Sequence, residues 1–135
     1  MLLIRDSGPA RAIRSTYFVG SQVYPSAISI VTIGEIRSLA RQLDWDHDRV
    51  AVMERWLADV NWLDLNHQDV FERYVQYDVQ SRHMGRMMGK NDLWIAESTA
   101  AVGGTLLTTD ADIDHLIEHG LSMIRIHPNT GQPIP

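Results

Sequence analysis

The sequence predicts an α/β fold, a three-layer α/β/α sandwich in which helices cover both faces of a central, mostly parallel sheet. Short apolar segments rich in β-branched residues alternate along the chain with longer segments of helical periodicity, which is the pattern of parallel-sheet proteins. The 135 residues contain no internal repeat and no linker-like tract. We therefore expect one domain over residues 1–128, followed by a frayed tail over 129–135.

The first half of the chain predicts three helices and two strands. Ser7-Gly8-Pro9 begins a helix, because proline fits the first turn, and Gly20 ends it. The apolar segment AISIV at 27–31 predicts a buried strand. The elements that follow are a helix over 32–42, a helix from the acidic turn 44–48 to about residue 60, and a strand over 62–65.

The second half predicts the remaining strands and helices. These are a helix over 69–82, a loop over 82–90, a helix over 91–102, a strand over 105–108, a helix over 111–119 and a strand over 123–126. Helical spacing predicts inward-facing side chains, and we expect the tryptophans in the core. The predicted inward residues are Val52, Met53, Trp56 and Leu57 in one helix and Val70, Phe71, Tyr74, Val75 and Val79 in the next.

Composition and charge exclude several classes of protein. The absence of cysteine excludes a disulfide framework and a thiolate metal site. No apolar segment approaches the roughly 20 residues that span a bilayer, and the first residues do not form a signal peptide, so we expect a cytoplasmic protein without a membrane segment. The net charge is −5, yet residues 82–90 contain three bases and no acid. This stretch could hold a polyanion, although a mixed solvated surface explains it equally well.

Acidic residues border the predicted strands at the edge where parallel sheets bind ligands. Glu35 lies one turn into the helix after the first predicted strand, and Asp92 opens a later helix. Asp110 follows a predicted strand directly, with Asp112 close behind. Carboxylates that converge repel one another unless a cation neutralises them, and Mg²⁺ or Mn²⁺ prefers carboxylate oxygens. An ion held in this way can activate water for attack on a phosphodiester.

Each acid also has an ordinary structural explanation. Thr32 and Glu35 fit a capping box at a helix start. Asn91 and Asp92 fit a helix cap with a carboxylate in the first turn, and Asp110 could cap the last helix. Each acid taken singly favours the structural explanation, whereas several acids at one sheet edge favour a metal site.

Other polar side chains near these acids have similar alternatives. Thr108 and Thr109 could hydrogen-bond to a metal-bound carboxylate or water, or they could be ordinary strand residues. His115 and His119 lie four residues apart, and we expect a solvated helix face there because no HExxH pattern accompanies them.

Two segments carry a resemblance to a known family. Residues 89–96 read GKNDLWIA, and residues 106–112 read LLTTDAD. They resemble the N-D-x-x-I-A and T-x-D-x-D-F motifs of the PIN-domain family, and most closely those of the VapC-type toxin ribonucleases of toxin–antitoxin pairs. The order of the predicted elements agrees over almost the whole chain, while Ile113 stands where the family usually has phenylalanine.

The resemblance implies a Mg²⁺- or Mn²⁺-dependent endoribonuclease that forms a homodimer and binds a cognate antitoxin. The substrate would be RNA, such as tRNA or mRNA, cleaved in single-stranded or loop regions. The implied catalytic and metal-binding acids are Glu35, Asp92 and Asp110, with Asp112 as a further metal ligand. The implied hydrogen-bonding residues around them are Thr32, Asn91, Thr108 and Thr109. The residues that would contact RNA phosphates are Lys90, Arg86, Arg82 and Arg37.

The beginning of the chain departs from the family pattern. The family opens with a strand that ends in an aspartate, which is its first metal ligand. In our preferred alignment this chain starts after that strand, and we then expect a start site further upstream or a truncated, weakened copy. In the other alignment residues 2–5 are the strand and Asp6 is the first acid, but Gly8-Pro9 would then break the helix that should follow.

Two other functions stay open. A non-catalytic module of the same fold would bind RNA or an antitoxin without cleavage. Phosphoryl transfer through an aspartyl phosphate requires a nucleophilic aspartate at the end of the first strand and a lysine near the end of a later one. Neither is evident in this sequence.

Overall fold

The computed structural model of the chain describes residues 7–17, 19 and 25–135. The chain divides into two units, residues 1–62 with 127–132 and residues 63–126 with 133–135. Asp6, the first acid of the second alignment, lies outside the described residues. The single domain over 1–128 stays a prediction.

The described part of the first unit contains three helices and a small sheet. As the sequence predicts, a serine caps the first helix and a proline lies in its first turn, with Ser7 Oγ accepting a hydrogen bond from the Ala10 amide at 3.3 Å. The strands β1 and β2 are neighbours in a two-stranded sheet. In chain order the elements are α1 (Gly8–Thr16), β1 (Ala27–Ser29), α2 (Ile30–Gln42), α3 (His47–Asp59) and β2 (Asn61–Leu63).

The junction between β1 and α2 corrects two predictions. The strand predicted over 27–31 ends at Ser29, because the Ser29 hydroxyl caps α2 and accepts a hydrogen bond from the Val31 amide at 3.2 Å. A serine hydroxyl satisfies one of the free amides of a first helical turn, so the helix begins two residues earlier. Thr32 therefore lies inside α2, and the capping box predicted for Thr32 and Glu35 is wrong.

The core of the first unit lies between α2 and α3. Its buried residues are Ile33, Ile36, Ala40, Met53 and Leu57, with Ile28, Trp45, Val50 and Trp56 packed against them. Two predicted core residues are exposed instead, Val52 by 45% and Trp62 by 52%. The Trp62 indole still donates a hydrogen bond to the Leu57 carbonyl at 2.9 Å, which explains how its polar edge is satisfied while its ring meets solvent.

The second unit contains the remaining helices and a parallel strand pair. β3 and β4 pair in parallel with Leu107 opposite Ile124, and the chain between them forms a short 3-10 helix instead of the predicted α-helix. Gly89 is the N-cap of α5, so the prediction that Asn91 caps this helix is wrong. The elements are α4 (Val70–His83), α5 (Lys90–Ala101), β3 (Leu106–Thr108), the 3-10 helix (Asp114–His119) and β4 (Met123–Arg125).

α4 buries only part of the predicted face, since Val70 is buried and Tyr74 packs against the core as predicted, but three other predicted residues are exposed. Val70, Tyr77 and Ser81 are buried, whereas Phe71, Val75 and Val79 are exposed by 68%, 60% and 43%. Both sets follow helical spacing. The hydroxyl groups of Tyr77 and Ser81 made the buried set look like a polar face in the sequence. The core residues of this unit are Tyr77, Leu93, Ala96, Leu116 and Leu121, with Tyr74, Met88, Ala100, Leu106 and Met123 packed against them.

The last residues of the chain are paired with backbone and not frayed as predicted. Ile126 and Pro133 form an antiparallel bridge, and the Ile134 amide donates a hydrogen bond to the Arg125 carbonyl at 2.7 Å. The His127 amide likewise donates to the Gln132 carbonyl at 2.8 Å. Across the described ranges, every helix is too short or too polar to cross a membrane.

Candidate functional site

Basic side chains gather where α4 ends and α5 begins. Asp78 on α4 accepts a hydrogen bond from Arg82 Nε at 3.0 Å and lies 3.5 Å from Lys90 Nζ. The hydrogen bond from Arg82 lowers the pKa of Asp78, with the charges of Arg82 and Lys90 acting in the same direction. Lys90 Nζ also lies 5.6 Å from the centre of the Tyr74 ring. These contacts bring together two of the predicted RNA-binding residues, Arg82 near the end of α4 and Lys90 at the start of α5.

The Arg82 and Lys90 side chains are nonetheless more than half exposed, at 53% and 59%. Exposed ion pairs contribute only about 0–1 kcal/mol, so a phosphate can replace Asp78 at little cost. Arg86 is exposed in the loop between the two helices, and it forms no ion pair within the part of the chain that the structure describes. The end of α4 and the start of α5 therefore present three cations to solvent.

Asp92 lies in the first turn of α5, where its carboxylate approaches the backbone of Gly89. A side-chain carbon at Gly89 would lie 2.6 Å from Asp92 Oδ2, so a larger residue there would displace this carboxylate. The amino end of the helix favours a negative charge there. Asp92 is half-buried, which leaves part of its side chain accessible.

The acidic segment after β3 begins the connection to β4. The Asp110 amide donates to Thr108 Oγ1 at 3.1 Å, and Asp110 Oδ1 accepts from the Asp112 amide at 2.8 Å. Arg125 on β4 donates to Asp114 Oδ2 at 2.6 Å. The carboxylates of Asp110 and Asp114 thus shape this turn, while Asp110, Asp112 and Thr109 remain exposed.

Glu35 belongs to the first unit, where it is exposed on α2. On the same helix Arg37 donates to both carboxylate oxygens of Glu54 on α3, at 2.9 and 2.7 Å. This pair raises the pKa of Arg37 and lowers that of Glu54, mainly through the hydrogen bonds. Arg37 is therefore held against α3, and its guanidinium lies 5.5 Å from the centre of the exposed Trp62 ring.

Carboxylates are suitable donors for Mg²⁺ or Mn²⁺, and all four predicted metal ligands are carboxylates. Among the described residues, no three histidine, aspartate or glutamate side chains are grouped so as to hold an ion. Asp92, Asp110 and Asp112 belong to the second unit, and Glu35 belongs to the first. The observed arrangement therefore supports no step through a bound metal.

The structure contains buried polar residues that sequence analysis missed. Glu97 on α5 is fully buried, and neither of its carboxylate oxygens has a hydrogen-bond partner among the described residues. Burial raises the pKa of Glu97 to about 7, against the opposing charge of Arg73. The signal was available, because Glu97 lies four residues after Leu93, on the apolar face of α5.

A second buried polar group joins α4 to the 3-10 helix. Ser81 Oγ lies 2.7 Å from His115 Nε2, and both residues are buried. The prediction of a solvated face for His115 is therefore wrong. Burial lowers the pKa of His115, and the charge of Arg86 lowers it further. No sequence motif marks this pair, because its members are 34 residues apart.

Solved structures match the chain over most of its length. VapBC-1 from nontypeable Haemophilus influenzae gives a TM-score of 0.71 at 20% identity, covering 85% of this chain and 84% of that one. VapBC2 from Rickettsia felis, bound to a DNA fragment from its promoter, gives 0.66 at 19% identity, covering 75% and 74%. VapBC-5 from Mycobacterium tuberculosis, of the VapBC family of toxin–antitoxin systems, gives 0.60 at 27% identity, covering 74% and 81%. This chain has a VapC-type PIN-domain fold.

The VapC-type fold confirms the predicted α/β class and the fold that the PIN-domain resemblance implies. It agrees with the parallel pairing of β3 and β4. No protein-family model matches the chain, and no curated protein matches it. In this chain, Asp92 lies just after the start of α5 and Asp110 just after the end of β3, as the sequence predicts.

Proposed function

We propose that this chain is a Mg²⁺- or Mn²⁺-dependent endoribonuclease of the PIN/VapC type. The observation that carries the proposal is the VapC-type fold, with acids at the start of α5 and just beyond the carboxyl end of β3. Ligands of α/β proteins bind at this edge of a parallel sheet. The proposed metal-binding and catalytic residues are Glu35, Asp92 and Asp110, with Asp112 as a further ligand.

In this proposal the chain's own residues bind and orient RNA. Lys90, Arg82 and Arg86 contact phosphates, since all three are exposed at the junction of α4 and α5. Arg37 contacts RNA from the first unit after exchanging Glu54 for a phosphate. Thr32, Asn91, Thr108 and Thr109 hydrogen-bond to the acids or to water around them. A bound divalent cation would supply an activated water for attack on the phosphodiester.

The test is cleavage of single-stranded RNA by the full chain with Mn²⁺, comparing the parent with Asp92→Asn. Loss of one metal ligand removes about 3 kcal/mol of transition-state stabilisation, which lowers the rate roughly a hundredfold. Asp59→Asn, an exposed acid at the end of α3, is the matched control and should cleave like the parent. Equal cleavage by Asp92→Asn and the parent would refute the assignment.

The second candidate is an inactive PIN-like module that binds RNA or an antitoxin. Two acids near the candidate site already have partners within the protein, which favours this alternative. Asp110 accepts a hydrogen bond from the Asp112 amide, and Asp114 pairs with Arg125. RNA retained on the protein, with no products at any Mn²⁺ concentration, would support this alternative over the nuclease. Metal-dependent products would exclude it.

We further propose a cytoplasmic protein that forms a homodimer and binds a cognate antitoxin. The solved structures that match the chain are VapBC complexes, which supports an antitoxin as partner. The exposed apolar row of Phe71, Val75 and Val79 on α4 supports a second copy, because a surface that pairs with itself needs such a patch. Sedimentation equilibrium of the purified chain tests the homodimer directly, and a monomer at all concentrations would contradict it.

A further inference from the structure

The Ser81 hydroxyl is a buried contact point for three segments of the second unit. Ser81 lies on α4 and is 1% exposed. Its oxygen lies 2.7 Å from Nε2 of His115, on the 3-10 helix, and 3.2 Å from the sulfur of Met88, in the loop over residues 84–89. Since no water competes at a buried site, both contacts help to define where the two segments lie.

One arrangement of hydrogen atoms satisfies both contacts. A serine hydroxyl has a single hydrogen, so when it donates to the Met88 sulfur it can only accept from His115 Nε2–H. The His115 ring also interacts with the backbone of Asp112, which raises its pKa against the effect of burial. When the ring proton lies on Nδ1, Ser81 donates to Nε2 instead. In either tautomer the Ser81 oxygen links His115 to α4.

The two segments joined by Ser81 lead to the two sides of the candidate site. The loop over 84–89 carries Arg86 and ends directly before Lys90 and Asp92. The 3-10 helix that contains His115 begins at Asp114, where the acidic segment after β3 ends. A shift of either segment would change the spacing between the cations and the acids.

We propose that Ser81 and His115 are positioning residues, which hold the 84–89 loop and the acidic segment at a fixed separation through the contacts of Ser81 Oγ with His115 Nε2 and Met88 Sδ. The proposal rests on the proposed ribonuclease function for its consequence in activity. Neither residue contacts substrate, because both are buried. Their effect is on the geometry of Arg86, Lys90 and the acids after β3.

The test compares Ser81→Ala with Ser98→Ala in the full chain. Ser98 is an equally buried serine, but it donates only to the Trp94 and Ile95 carbonyls of its own helix. Both variants lose one buried hydroxyl, so similar losses of thermal stability are expected. We expect Ser81→Ala to lower kcat of RNA cleavage by roughly ten- to hundredfold, since small displacements of reacting groups have effects of this size. Ser98→Ala should leave kcat close to that of the parent.

Nuclear magnetic resonance provides a readout that does not depend on activity. In Ser81→Ala, amide ¹H–¹⁵N shifts should change in both 84–89 and 110–115, and in Ser98→Ala they should not. Shifts confined to α4 would overturn the positioning role. If Ser81→Ala fails to fold, the same spectra of Ser81→Cys, which keeps most of the side-chain volume and weakens the hydroxyl contacts, decide the question. Absence of cleavage by the parent would overturn the ribonuclease proposal alone.

Discussion

Replacing Glu97 with glutamine tests whether α5 buries an uncharged carboxyl at neutral pH. Glu97 is fully buried, and its pKa is raised to about 7 because burial removes solvent from the charged form. Arg73 and Tyr77 of α4 are the ionisable groups that interact with it, and Arg73 opposes the rise only in part. Glutamine keeps the shape of the side chain and removes the titration.

The size of the effect follows from the difference in pKa between the folded and unfolded chains. The pKa of Glu97 rises from 4.5 when unfolded to about 7 when folded, which corresponds to about 3 kcal/mol as an upper value. Between these values the folded state binds more protons than the unfolded state, so stability falls as pH rises. Glu97 therefore destabilises the protein most above about pH 7 and hardly at all below about pH 4.5.

The assay is urea unfolding of the parent and of Glu97→Gln at several values from about pH 5 to pH 8. We expect the variant to gain stability relative to the parent as pH rises, by up to about 3 kcal/mol at the alkaline end. Glu118→Gln changes an exposed glutamate of the 3-10 helix, and its difference from the parent should stay nearly constant. A constant difference for Glu97→Gln as well, or a variant less stable than the parent at pH 8, would refute the buried titration.

Two further pairs of substitutions test local features of the fold. Gly131 has φ +72° and its added side-chain carbon would clash with the Pro9 carbonyl, whereas Gly85 has φ +71° and open space around it. By urea unfolding, Gly131→Ala should therefore cost at least about 2 kcal/mol and Gly85→Ala about 1 kcal/mol; equal costs would show that the clash is relieved. Ser29→Ala should cost about 1 kcal/mol through loss of the α2 cap, and Thr32→Ala clearly less. The reverse order would restore Thr32 as the cap.

The sequence predicted which segments form helices and strands better than it predicted which side of each helix is buried. The helix started by Ser7 and Pro9 was found as expected, because a cap and a first-turn proline are local signals. The buried face of α4 was predicted only in part. Two sets of residues in its sequence follow helical periodicity, and only packing against α5 and the 3-10 helix decides which set is buried. Tyr77 and Ser81 are buried there while Val75 meets solvent, so hydrophobicity of single residues was a misleading guide.

The candidate acids show why a sequence cannot by itself separate a metal site from a set of helix caps. A carboxylate at a strand end or helix start attracts backbone amides, arginines and divalent cations through the same negative charge. Asp110 accepts a hydrogen bond from the Asp112 amide and Asp114 accepts one from Arg125, so the structure identifies a partner for each acid. A partner that is exposed to solvent can still be exchanged for a metal ion or a phosphate at small cost. Whether an acid binds a metal ion therefore depends on competition between the ion and the amides or arginines that the acid contacts. The structure identifies those contacts, and RNA cleavage by Asp92→Asn with Mn²⁺ tests whether a metal ion replaces them.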